Sequence, residues 1–306
     1  MKQGLSLKVL VSGPCELDVS WYGMIQDKLL RRTVRQGARV LDVGCGKGGV
    51  LFGLSGQIES GVGVDISTND LASAENTRGK KDLRNLTFIQ ANAMKLPFPS
   101  NRFDVVLCLG DVLSSSNLYG YEESVLSEMK RILRTNGTAV YQGTNWEWEY
   151  RLTPYWTFFT RQANGSFYFH RTKRRASGLE IARDYKVVSK SPLHQWILQQ
   201  KWPKSPHDRT SLDVIEERPV PPRWLEFQGR NKYRNYTLRS LRRAFENGGF
   251  YNVEVFAYGQ TYDIVSKAGL LGAVEHSKPQ LAKAEAEMAF KLRMGSGPWL
   301  FLVGRT

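Results

Sequence analysis

The feature that most constrains the fold is a rhythm between residues 39 and 145. Short apolar runs alternate there with amphipathic stretches. The runs are Arg39–Val43 (RVLDV), 61–66 (GVGVDI), Leu86–Gln90 (LTFIQ), 103–109 (FDVVLCL) and 138–143 (TAVYQG). They are continuous rather than alternating, which is the pattern of strands buried on both faces. Between the last two, 122–134 places Val125, Leu126, Met129, Ile132 and Leu133 on one helical face, and Asn136-Gly137 is expected to stop that helix. Trp21–Thr33 reads as a helix leading into the first strand. The alternation predicts a doubly wound α/β fold around a parallel sheet.

The rhythm breaks after Asn145. Residues 146–236 hold six of the eight Trp, and 17 Lys and Arg against 9 Asp and Glu, so they carry +8 of the chain's net +14. They are too long and too aromatic for a plain loop. We expect three parts: residues 1–145 as the first part of an α/β core, 146–236 as an inserted cap or substrate region, and 237–306 as the end of the core. In the last part, residues 237–247 have Leu238, Leu241, Ala244 and Phe245 at helical spacing, and Gly248-Gly249 ends them. Tyr251–Tyr258 alternates like a strand, 278–294 is helical, and 299–304 forms a final strand.

Composition narrows the function classes. With 306 residues, 41 % hydrophobic and 24 % charged, the chain is globular in type. No apolar run approaches the roughly 20 residues a bilayer needs. No signal peptide follows Met1-Lys2, and the three cysteines (Cys15, Cys45, Cys108) are unclustered. They offer no zinc spacing and suit a reducing cytoplasm, where we expect the protein to work. The net charge favours anionic partners without choosing among nucleic acid, membrane surface and acidic metabolites.

The strongest motif runs from Val40 to Gly49 (VLDVGCGKGG). A buried strand enters a glycine turn that opens a helix. It satisfies two ligand patterns. Gly44, Gly46 and Gly49 fit the dinucleotide fingerprint GxGxxG, with Asp65 following at the end of the second strand to bind ribose hydroxyls. Asp42, Gly44, Gly46 and Gly48 fit DxGxGxG, which puts the acid inside the first strand.

With its downstream strand ends, the second pattern resembles the class I S-adenosylmethionine-dependent methyltransferases, with a core of the methyltransferase type 11 kind. The resemblance covers about 39–143 and resumes weakly in 237–258 and the last strand. It implies that S-adenosyl-L-methionine is the cofactor. Gly44, Cys45, Gly46 and Gly48 would form the turn at its methionine part, with Asp42 supporting the turn and the amino group. Asp65 would hold the ribose, Ile66 the adenine face, and Asn92-Ala93 the adenine edge. The family usually carries Asp where Asn92 stands, and an amide oxygen still accepts a hydrogen bond. Leu109 and Gly110 would sit beside the reactive methyl.

A methyl on a sulfonium is already activated, so alignment supplies most of the rate and a general base is optional. The catalytic candidates are Asp111, at the end of a central strand, with His170, His194 and Glu147 from the inserted region. Tyr22 in the leading helix would close over the cofactor or pack in the core. No Asn-Pro-Pro-Tyr or Asp-Pro-Pro-Tyr follows the fourth strand, and no Pro-Cys nucleophile lies near it, which disfavours exocyclic-nitrogen and cytosine-C5 methylation. We expect a small or amphipathic organic acceptor under the cap. One alternative is an RNA methyltransferase using the basic, aromatic stretches 161–175 and 230–243, whose residues also suit peripheral contact with a membrane. The other is a cofactor-binding protein without catalysis.

Overall fold

The computed structural model describes residues 21–115, 117–118, 120–145, 148, 156–161, 166–175, 178–187, 192–201, 213–217, 227–229, 234–267, 270, 272–292 and 297–306. The core begins with α1 (Trp21–Thr33), β1 (Arg39–Val43), α2 (Gly49–Leu54), β2 (Ser60–Asp65), α3 (Thr68–Lys80), β3 (Leu86–Gln90) and β4 (Phe103–Cys108). It continues with α4 (Glu122–Ile132) and β5 (Leu133–Thr144). After the inserted residues come α6 (Leu238–Asn247), β12 (Tyr251–Tyr258), α7 (Gln260–Lys267), α8 (Lys278–Leu292) and β13 (Trp299–Arg305). Among the described residues no helix is long and apolar enough to cross a membrane.

These strands form one seven-stranded sheet in the order β12-β13-β5-β4-β1-β2-β3. Neighbours from β3 to β5 pair in parallel, and β13 runs antiparallel to both β5 and β12. The strands are buried on both faces, as their continuous apolar runs require. In β4, Val105 and Leu107 join one apolar cluster, and Val106 and Cys108 join the other. The first cluster packs under Ile25 and Leu29 of α1 and Ala282 and Ala286 of α8. The second packs under Val125 and Met129 of α4 and Leu241 and Phe245 of α6. Side chains three and four apart meet the sheet in each of these helices, which is why their spacing was legible.

Strand order reverses between β1 and β4, which run parallel, so the carboxyl ends of both strands lie side by side. Open α/β sheets bind ligands at such a point. The opposite end is closed by charge. Asp104, at the start of β4, accepts from Arg35 Nη2 (2.7 Å), the Arg39 backbone N–H (2.9 Å) and Arg134 Nη1 (3.2 Å). Burial alone would raise its pKa, but the Arg39 N–H and the Arg35 guanidinium outweigh that and hold it below the usual carboxylate range.

Several element limits differ from the sequence reading by a residue or more, and two differences change an assignment. The fourth helix ends at Ile132, not Arg134, and Leu133 already belongs to β5, paired with Phe103. Asn136, with φ of 60°, therefore bends a strand instead of ending a helix, and its N–H donates to the Thr306 carbonyl (2.9 Å). Residues 260–267, to which the sequence pattern assigned no element, form α7. The α6 start follows the pattern closely. The Thr237 hydroxyl accepts from the Ser240 N–H (3.1 Å) and the Ser240 hydroxyl accepts from the Thr237 N–H (2.9 Å), a reciprocal cap worth about 1 kcal/mol.

The inserted residues build a second sheet. It comprises β6 (Trp156–Arg161), β7 (Phe167–Arg175), β8 (Gly178–Val187), β9 (Asp213–Glu217), β10 (Phe227–Gly229) and β11 (Arg234–Asn235), with α5 (Pro192–Lys201) between β8 and β9. Its order is β11-β10-β8-β7-β6-β9, and all its pairings are antiparallel. Asn145 and Tyr236 pair in a parallel bridge, so the chain leaves and rejoins the first sheet at neighbouring points.

Candidate functional site

The glycine turn is held from below by β2. The N–H groups of Gly44 and Cys45 both donate to the Val64 carbonyl (2.8 and 3.0 Å), and the Gly46 N–H donates to Asp65 Oδ2 (2.8 Å). The other Asp65 oxygen accepts from the Ser67 N–H (2.9 Å), which fixes the carboxylate between the turn and the start of α3. Gly44, Gly46 and Gly48 all have positive φ (75°, 51° and 80°), a backbone that residues with a Cβ adopt at a cost.

The three glycines serve different needs. A Cβ on Gly44 would overlap the Val112 side chain, and one on Gly48 would meet the Phe88 ring at 2.6 Å. Packing therefore requires those two. A Cβ on Gly46 would meet no atom within 4 Å, so the space beside Gly46 is open. Gly110, at the end of β4, has the same character, with φ of 69° and nothing within 4 Å. Its N–H donates to Gln142 Oε1 (2.9 Å).

Asp42 lies buried beneath this turn, and no described residue donates a hydrogen bond to its carboxylate. Burial, and secondarily the Asp65 charge, push its pKa up to about 7. Burial also raises both described thiols, Cys108 to about 12 and Cys45 further, so neither is a ready nucleophile. Cys45 faces Gly63 of β2, and Leu109 is buried in the core.

The remaining predicted residues sit at neighbouring strand ends. Ile66 follows β2 and is 55 % exposed. Asn92 and Ala93 follow β3, where the Asn92 Oδ1 accepts from the Met94 N–H (2.9 Å). The loop after them is pinned from α4: Glu128 accepts from the Leu96 N–H (2.7 Å), and Arg131 donates to the Phe98 and Leu96 carbonyls (2.8 and 3.1 Å). Sequence reasoning missed Glu128 and Arg131, although their spacing of three on a helix with other faces accounted for was a usable signal. The structure thus gathers Asp42, Gly44, Cys45, Gly46, Gly48, Asp65, Ile66, Asn92, Ala93, Leu109 and Gly110 along the carboxyl ends of β1 to β4 and the loops that follow.

Among the catalytic candidates, Asp111 is the one whose side chain is described. Its oxygens accept from the Thr144 N–H (2.7 Å) and hydroxyl (2.6 Å), which ties the end of β4 to the end of β5. It adopts φ of 63° and opens the turn that places Val112 against Gly44. His170 lies in β7 and His194 in α5, with side chains outside the described residues, and Glu147 lies outside them altogether. The side chains of Arg171, Lys173, Arg174 and Arg175 and most of 230–236 are likewise outside the description. Tyr22 packs on Gly259 and against the rings of Tyr262 and Trp299, at the β12 side of the sheet.

Comparison with known proteins agrees with this geometry. Residues 35–165 match a family described as a methyltransferase domain. The chain is 34 % identical over 108 residues to the fatty-acid O-methyltransferase of Mycolicibacterium smegmatis, covering 35 % of this chain and 37 % of that protein. It is 35 % identical over 118 residues to the demethylmenaquinone methyltransferase of Oceanobacillus iheyensis, covering 38 % of this chain and 48 % of that one. The chain spans about half the length, or less, of the curated relatives it matches. The structure of the CcbJ methyltransferase of Streptomyces caelestis superposes with a TM-score of 0.50 at 15 % identity, over 94 % of this chain and 90 % of that one, a likeness of fold. The seven-stranded, mostly parallel sheet is the Rossmann-like methyltransferase fold, and residues 35–165 are a methyltransferase domain of the class I S-adenosylmethionine-dependent kind.

Proposed function

We propose that the protein transfers a methyl group from S-adenosylmethionine to a small or amphipathic organic acceptor, held at the carboxyl edge of the first sheet beneath residues 146–236. The observation that carries the reading is the glycine turn at the β1–β4 switch point. Gly46 and Gly110 leave open backbone on either side of it, and Asp65 stands fixed beside it.

The residues fit the cofactor. An uncompensated buried carboxylate at Asp42 suits a site that receives a cationic ligand. Asp65 keeps lone pairs beyond those its two N–H donors use. Ile66 offers an exposed apolar side chain for an adenine face, and Asn92 retains acceptor capacity at its edge. When bound, the cofactor supplies a methyl already activated on a sulfonium. The chain's contribution is to align the acceptor and exclude water. Asp111, held by the Thr144 N–H and hydroxyl, shapes the edge where β4 and β5 end.

The relatives named for fatty acid and demethylmenaquinone methylation support a lipophilic or amphipathic acceptor. The aromatic content of 146–236 supports it too, because apolar walls suit such a ligand better than a phosphate-tracking groove. The sparse, unclustered cysteines support a cytoplasmic location. The test is to incubate the protein with methyl-labelled S-adenosylmethionine and a metabolite extract. Label should appear in an organic-soluble small molecule and not in RNA. Sequence-selective labelling of RNA would replace this reading.

A further inference from the structure

Away from the glycine turn, buried polar atoms without partners gather at one corner. Among the described residues the indole N–H groups of Trp21 and Trp299 and Oε2 of Glu285 are buried and make no hydrogen bond. The Tyr258 hydroxyl lies beside Gln142, without a well-aligned bond. These residues come from α1, β13, α8 and β12, yet they are neighbours. Tyr262 packs edge-on against Trp21 (5.8 Å between centroids) and Tyr22 (4.7 Å), and Tyr22 meets Trp299 (6.0 Å). Trp299 pairs with Tyr258 across the strands, and Glu285 Oε1 accepts from the Gly259 N–H (2.7 Å).

Glu285 is the informative member. It is 6 % exposed, and no described Lys or Arg pairs with it. One oxygen is committed to the chain turning into α7, and the other is buried beside aromatic rings. Capping that turn needs one oxygen only. A buried charge normally has a partner, because burial without one costs several kcal/mol. A carboxylate bordered by tryptophan and tyrosine rings has the composition that attracts an organic cation.

The corner is also in reach of the reacting centre. Thr144, Trp299 and Tyr258 stand side by side on β5, β13 and β12, about 4.8 Å per strand, so Tyr258 is about 10 Å from the Thr144 that Asp111 holds. An acceptor presented beside Gly110 would need a carbon chain long enough to span that interval.

We propose that this corner is a subsite for a protonated or quaternary nitrogen on the acceptor, bound by Glu285 and the surrounding rings. The substrate class is then an amphipathic amine, with the cationic group anchoring the molecule. This rests on the methyltransferase reading above.

The test is a calorimetric titration of the full chain with n-hexylammonium and with hexan-1-ol, each with and without S-adenosylhomocysteine. The ammonium should bind at least tenfold more tightly than the alcohol. Glu285→Gln should lower its affinity about tenfold, leaving the alcohol and S-adenosylhomocysteine affinities as they were. If Glu285 only caps α7, the variant loses stability and the preference for ammonium is unaffected, which overturns the proposal. Should the variant fail to fold, the wild-type preference decides, and equal affinity for both probes, or binding of neither, sinks the subsite. Failure to bind S-adenosylhomocysteine instead removes the methyltransferase reading, and is read separately from the probes.

Discussion

Two glycines in one turn are expected to fail in different ways when given a methyl group. Gly44 and Gly46 share a left-handed backbone, so Gly→Ala costs each about 1–2 kcal/mol of stability. At Gly44 the new Cβ also overlaps the Val112 side chain, and overpacking of that kind adds about 1–3 kcal/mol. Gly44→Ala should therefore lose about 2–5 kcal/mol. Gly46→Ala should lose only the backbone part, because nothing lies within 4 Å of its Cβ. The open space at Gly46 is where we place the cofactor, so Gly46→Ala should bind S-adenosylhomocysteine at least tenfold more weakly while remaining folded. Urea unfolding gives the stabilities and calorimetry gives the affinity. The reasoning is refuted if Gly46→Ala is destabilised as much as Gly44→Ala, or if it binds with unchanged affinity.

Other outcomes follow from charge and burial. Asp104 has a depressed folded pKa, so its contribution is present at neutral pH and is lost as pH falls through that value below about 4. Asp104→Asn should cost about 1–2 kcal/mol at pH 7, since its Arg partners are partly solvated, and the gap to wild type should close in acid. Asp42 has the opposite sign: a folded pKa of about 7 means that its ionisation opposes folding as pH rises from about 4 to 7. Asp42→Asn should flatten that decline in urea titrations, and wild-type affinity for S-adenosylmethionine should rise through pH 7. The raised pKa values of Cys45 and Cys108 predict that native protein leaves both unreactive to a thiol reagent at pH 8, while urea exposes them.

Much of the core was legible because its signals are local. The Trp21–Thr33 helix and the Arg39–Val43 and Leu86–Gln90 strands have the limits their apolar patterns give. Where a helix runs straight into a strand the signal fails: Leu133 suits both the α4 face and β5, and its pairing with Phe103, thirty residues away, decides. The second sheet was hidden because strands such as β7 mix aromatic and basic residues, and proline-bearing stretches separate β8, β9 and β10. The proposed cofactor site rests on glycine spacing and an acid at a strand end, both local signals. The Asp104 network and the Glu285 corner could not. Each joins residues far apart in the chain, and no spacing rule connects Trp21 with Glu285 and Trp299.

The central claim is that the glycine turn holds S-adenosylmethionine and not a nicotinamide dinucleotide. Thermal unfolding with each ligand at about 100 times its dissociation constant tests it most directly. Stabilisation there is about 2.7 kcal/mol, a Tm increase of roughly 5 °C for a chain of this size. S-adenosylmethionine and S-adenosylhomocysteine should each raise Tm by about that amount, and Asp65→Ala should need at least tenfold more of either. A Tm raised by NAD and unmoved by S-adenosylmethionine would contradict the account.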